Sequence, residues 1–156
     1  MDKLIPGSKA PAFALKDQAG NDVKLSDFKG RRLLVYFYPK ANTPGCTTQA
    51  CSVRDAMPDL SKAGVAAVGI SPDAQAAQMK FDEKHSLGFP LLCDEDHATA
   101  EAYGAWGEKS MYGKKYEGVI RSAFLIDPSG KVAQAWYKVS PKETVPNLMK
   151  ALQAGD

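Results

Sequence analysis

The chain has 156 residues, of which 44% are hydrophobic, 24% charged and 9% aromatic, the composition of an ordinary soluble domain with one core. Twenty basic against eighteen acidic residues leave a net charge of +2, too small an excess to neutralise a phosphate backbone, so nucleic acid is not expected as a partner. The longest apolar run, LLVYFY at 33–38, falls far short of the roughly 20 residues of a bilayer span, and the first residues lack a signal-peptide core, so no membrane is expected and the cytosol is the expected location.

In chain order, residues 13–16 and 23–25 flank the turn signal QAGND and predict a short hairpin. Residues 31–38 predict a buried strand, too short and too rich in β-branched and aromatic residues for a helix, ending at Pro39. A helix over 47–62, closed by Gly64 and kinked at Pro58, precedes a second buried strand over 65–70. Ser71-Pro72-Asp73 predicts a cap with proline at the first helical position, opening a helix to about His85. Residues 90–93 predict a short strand, and Asp94-Glu95-Asp96 place acidic charge at the start of a helix reaching Tyr103. The glycine- and lysine-punctuated stretch 104–118 predicts a loop, 119–126 a strand, 127–130 a turn, 131–139 the returning strand and 141–151 a closing helix. Alternating β and α elements with an antiparallel end predict an α/β, thioredoxin-like fold over residues 1–156, a mixed central sheet flanked by helices with an N-terminal hairpin extension.

Cys46, Cys51 and Cys93 are too few and too oddly numbered for a disulfide framework, and a chain of this length folds without staples. In a reducing compartment a close pair such as Cys46 and Cys51 points instead to reactive or metal-binding chemistry. The segment from Pro39 to Cys51 runs off a strand into a helix and places Cys46 in its first turn, where unpaired amides and partial positive charge favour a thiolate. Thr43 offers a hydroxyl to donate to that sulfur or to a bound oxygen, Pro39 and Pro44 stiffen the loop, and Gly45 admits a ligand close to the backbone. Taken one residue at a time, the same stretch is an ordinary strand-to-helix turn with an incidental cysteine and a threonine cap.

Positions i and i+5 of an intact helix are rotated by about 140° and separated by about 8 to 9 Å between Cα atoms. A disulfide rarely tolerates more than about 7 Å, so Cys46 and Cys51 pair only if the first turns unwind. Otherwise Cys51 is a small buried hydrophobe. Arg121 shares one side of the predicted strand with Val119, Ala123 and Leu125 and is the candidate cation near a thiolate, or else snorkels at the strand end. Arg54 reads as a solvated charge, Cys93 as packed core, and His85 and His97 as solvent-facing. A zinc site drawn from Cys46, Cys51, Cys93, His85 and His97 lacks paired ligand spacing, and 104–110 lacks the GxxxxGK[ST] spacing of a phosphate loop.

Pro39, Thr43 and Cys46 meet the PxxxTxxC pattern of the peroxiredoxins, and the chain resembles their bacterioferritin comigratory protein, or peroxiredoxin Q, branch. The similarity continues through VYFYPK at 35–40, VGIS at 68–71, DEDH at 94–97, WGEK at 106–109 and FLID at 124–127. The resemblance implies a thiol peroxidase with Cys46 as peroxidatic cysteine, Arg121 holding thiolate and peroxide, and Cys51 as resolving cysteine on the same helix. It assigns Cys93 no role. It further implies a hydroperoxide substrate, thioredoxin or a similar dithiol as reductant, a monomer, and no metal, haem, flavin or nucleotide cofactor. The rival expectation is a non-catalytic redox sensor or holdase switched by the same disulfide.

Overall fold

The computed structural model describes residues 3–154. In chain order the elements are β1 (Ala14–Lys16), β2 (Asp22–Lys24), β3 (Arg32–Phe37), α1 (Pro44–Lys62), β4 (Val65–Ser71), α2 (Gln75–His85), β5 (Leu91–Cys93), α3 (Ala98–Ala102), β6 (Trp106–Met111), β7 (Lys114–Val119), β8 (Ser122–Ile126), β9 (Val132–Trp136) and α4 (Thr144–Ala154). Seven strands form one mixed sheet in the order β2-β1-β5-β4-β3-β8-β9. The β3–β4 and β4–β5 pairs are parallel, while β3–β8 and β8–β9 are antiparallel. This is the thioredoxin-like arrangement expected, and the hairpin of β1 and β2 extends the same sheet through the pairing of Lys16 with Cys93.

Strand β3 lies near the middle of the sheet and is covered on both faces, which explains its unbroken apolar run. Leu33, Val35 and Phe37 pack with Phe124, Tyr103 and Ala100 on the α3 side. Leu34 and Tyr36 pack with Val53 and Leu60 of α1, Phe81 of α2 and Leu148 of α4 on the other. Period-two alternation thus sends successive residues into two separate cores. The residues just past the end of β3 form the loop that leads into the helix turn carrying Cys46.

Tyr36 is fully buried, and its hydroxyl has no hydrogen-bond partner. Burial first, then Tyr38 and the nearby sulfur of Cys46, hold its phenol well above the usual range. An orphaned buried hydroxyl costs about 1 to 3 kcal/mol of desolvation. Tyr36→Phe is therefore expected to stabilise the reduced protein by about 1 kcal/mol in urea denaturation. A loss of stability would mean that the hydroxyl does have a partner.

Several boundaries differ from the expectations above. Residues 104–118 are not a loop: β6 and β7 pair antiparallel as a two-stranded ladder apart from the main sheet. The predicted strand over 119–126 is two elements, with β7 ending at Val119 and β8 starting at Ser122, because the chain passes here from the small ladder to the large sheet. Arg121 sits in that break, not on a strand face. Ser71-Pro72-Asp73 does not cap a helix: Ser71 ends β4, and α2 starts at Gln75. Asp73 instead accepts hydrogen bonds from the Ser71 hydroxyl and from the backbone amide of Ala41, both at 2.7 Å. That bond ties the loop before Cys46 to the end of β4.

Candidate active site

The end of β3 delivers the chain into a loop whose Asn42 adopts a left-handed conformation (φ 63°), and α1 then begins at Pro44. Proline suits a first helical position, where its missing amide hydrogen has no intrahelical acceptor. Cys46 falls in the first turn, and its side chain is buried, 1% exposed. Cys46, Gln49, Ala50 and Val53 share the buried face of α1 at helical spacing. Cys51 lies off that stripe, half-buried against the same core. All three cysteines are unpaired.

Arg121 reaches this turn from the break between β7 and β8. Its carbonyl accepts from the amide of Val139 at 3.0 Å, which fixes the backbone there. One guanidinium nitrogen stands 3.5 Å from the Cys46 sulfur, and the other donates to Gln49 Oε1 at 2.7 Å. A guanidinium so placed attracts negative charge at sulfur and presents a planar donor face beside it. A Cβ at Gly45 would stand 3.1 Å from Nη2 of Arg121, so the glycine leaves the arginine its room. Thr43 occupies the N-cap position of α1 without capping it: its hydroxyl donates to the Lys40 carbonyl at 2.8 Å. This differs from the donation to sulfur or substrate expected from sequence and leaves the Thr43 oxygen as an acceptor. Pro39 lies half-buried just past β3.

Sequence reasoning missed Gln49 and Thr144. Gln49 is completely buried and also donates through Nε2 to Thr144 Oγ1 at 2.9 Å. The available signal was its position three residues after Cys46, a polar residue on an otherwise apolar helix face. Lys109 was missed as well. It brings a second cation to this side: its ammonium donates to the Val119 carbonyl at 2.9 Å. Burial first and then Arg121 push the Lys109 amine down, with Cys46 opposing.

Residues 6–135 match the model of the AhpC/TSA family. The chain belongs to that family. Among curated relatives, peroxiredoxin Bcp of Escherichia coli K12 is 55% identical over 132 residues, covering 85% of each chain. A cysteine-to-serine variant of Xanthomonas campestris peroxiredoxin Q is a structural neighbour with a TM-score of 0.88 at 36% identity, covering 99% of this chain and 98% of that one. A solved Xanthomonas campestris bacterioferritin comigratory protein, described for its alkyl peroxide reduction activity, matches with a TM-score of 0.87 at 35% identity over 98% of this chain and 97% of that one. The protein is thus a peroxiredoxin of the Bcp and peroxiredoxin Q branch.

The remaining candidates of this peroxiredoxin lie away from Cys46 and Arg121. Arg54 is not freely solvated, since it donates to the His85 carbonyl at 2.7 Å and to Asp55 at 2.9 Å. Neither histidine simply faces solvent: His85 meets the Phe81 ring edge-on, and His97 stacks on Trp106 with ring centroids 3.8 Å apart. Both are half-buried. Among the described residues no three His, Cys, Asp or Glu side chains gather as a metal set. The segment 104–110 lies mainly in β6, which leaves no phosphate-cradling turn there.

Cys93 ends β5 half-buried, and burial, aided by Glu95, Asp17 and Asp73, pushes its thiol up to about 11. At pH 8 the thiolate of such a group is about 0.1% of the total, against about a quarter for a free cysteine. Iodoacetamide is therefore expected to label Cys93 in the native protein on the order of 10²-fold more slowly than in urea, with the native rate still rising steeply above pH 9. Peptide mass spectrometry over time checks this, and comparable rates would contradict the half-buried, acid-flanked setting.

Proposed function

We propose that this peroxiredoxin reduces hydrogen peroxide and organic hydroperoxides through Cys46, with Cys51 resolving and thioredoxin or a similar dithiol recycling it, as a cytosolic monomer. The observation that carries this reading is the Arg121 guanidinium 3.5 Å from a first-turn cysteine sulfur. The alkyl peroxide reduction described for the Xanthomonas campestris relative supports the substrate class.

In the first step the Cys46 thiolate attacks one peroxide oxygen in line with the O–O bond. The S–O bond forms, the O–O bond breaks, and the departing oxygen takes a proton to leave as water or alcohol, with Cys46 oxidised to a sulfenic acid. Arg121 donates to the peroxide and to charge on the departing oxygen, while the Thr43 oxygen accepts from the peroxide hydroxyl. Pro39 and Asp73 keep the loop in place. The first turns of α1 then unwind, the Cys51 thiol attacks the sulfenic sulfur, and water leaves as the disulfide forms. Thiol–disulfide exchange with an external dithiol restores both thiols.

Intact-mass analysis after one equivalent of peroxide is expected to show a loss of two hydrogens mapping to a Cys46–Cys51 bridge. Turnover coupled to thioredoxin, its reductase and NADPH is expected to consume many equivalents of peroxide. A reaction that stops at one equivalent would make the protein a redox sensor instead, and a persistent wild-type sulfenic acid would remove Cys51 from the cycle.

A further inference from the structure

Arg121 is braced from behind as well as aimed at sulfur. While Nη2 faces Cys46, Nη1 donates to Gln49, and Gln49 passes the contact across the molecule to Thr144, 95 residues away at the start of α4. Gln49 and Thr144 are both 0% exposed. Each end of the Gln49 amide is engaged: Oε1 accepts from Arg121 and Nε2 donates to Thr144. One buried amide therefore joins the helix that carries both reactive thiols, the arginine that faces one of them, and the last helix of the fold.

Gln49 also lies between Cys46 and Cys51 in sequence, inside the segment that must be rebuilt for the two sulfurs to meet. A side chain held by partners on two different elements cannot keep both bonds while its own backbone unwinds, because hydrogen bonds weaken steeply with distance and angle. We propose that the Gln49–Thr144 bond is a latch: it braces Arg121 against Cys46 while α1 is wound, and it opens, releasing the start of α4, when Cys46 and Cys51 pair. This rests on the resolving role proposed for Cys51. Thr144 is thus a positioning residue that acts through Gln49. Because the bond exists only in the wound, dithiol form, it favours that form over the disulfide.

The test equilibrates wild type, Thr144→Val and Thr144→Ser with oxidised and reduced dithiothreitol, an exchange in which two protein thiols become one disulfide as the dithiothreitol disulfide becomes a dithiol. The disulfide fraction is read by intact mass. Thr144→Val removes the bond from Gln49 and also the hydroxyl's long donation to the Ser140 carbonyl at 3.5 Å; loss of the shorter, buried one is expected to shift the equilibrium toward disulfide about fivefold, equivalent to a potential about 20 mV more negative. Thr144→Ser, which keeps the hydroxyl, is expected to stay near wild type. Hydrogen exchange on the unmutated protein supplies the second reading: the amide of Asn147, bonded to the Glu143 carbonyl at 2.9 Å, and those of the turn after it are expected to lose protection in the disulfide form. The latch is overturned if Thr144→Val leaves the potential unchanged, if Thr144→Ser shifts as far as Thr144→Val, or if α4 is equally protected in both redox forms. Failure of the wild type to form the Cys46–Cys51 disulfide would overturn the resolving role itself, a result visible before any variant is made.

Discussion

Cys46→Ser is expected to abolish peroxide reduction, lowering the rate at least about 10³-fold, because a neutral hydroxyl does not displace the O–O bond as an ionised sulfur does. The exchange nearly preserves volume at a site that is 1% exposed, so circular dichroism and the urea midpoint should stay close to wild type, separating lost chemistry from lost fold. Coupled peroxide consumption measures the first effect. Activity within tenfold of wild type would move the nucleophile to another cysteine. The companion variant Cys51→Ser should behave differently, reducing one equivalent of peroxide and then stalling with Cys46 as a trapped sulfenic acid.

Arg121→Met is the second large effect. It removes the cation beside sulfur and also leaves Gln49 Oε1, buried and bonded to Arg121 at 2.7 Å, without its donor. Loss of one donor that stabilises developing charge costs about 10² to 10³ in rate, and a fall of that size in kcat/KM for hydrogen peroxide is expected. Arg121→Lys should recover little of it, because a single ammonium cannot reach Gln49 and Cys46 at once as the planar fork does. Stopped-flow reduction of the three proteins decides the point, and an undiminished Lys variant would show that charge alone suffices.

The residues that could be read from sequence are those whose signals are local. Thr43 ends the loop between a strand that can only be buried and a helix opened by proline, and Cys46 stands in the first turn of that helix, so their neighbourhood follows from a short stretch of chain. Arg121 was legible as a residue but not in its setting, since the break between β7 and β8 depends on the ladder that precedes it. That ladder was missed because its strands are mostly exposed on both faces and show no apolar alternation. Its one local signal is the turn: Tyr112 and Gly113 both have positive φ, 53° and 79°, the type I′ pattern that glycine at the second position favours. Gln49 was visible as a polar residue on a buried helix face, whereas its partner Thr144 could not be found without the tertiary fold. The same holds for Asp73, whose short-range pattern suggested a helix cap while its carboxylate serves a loop 32 residues earlier.

Cys46 and Arg121 are 75 residues apart in the chain, and β8, the strand that follows the arginine, lies directly beside β3 in the sheet although β4 and β5 precede it in the chain. On a ribosome, both thiols of α1 therefore emerge well before the guanidinium that will face one of them has been synthesised. Through that interval the nascent chain carries two thiols, five positions apart, with no guanidinium beside either.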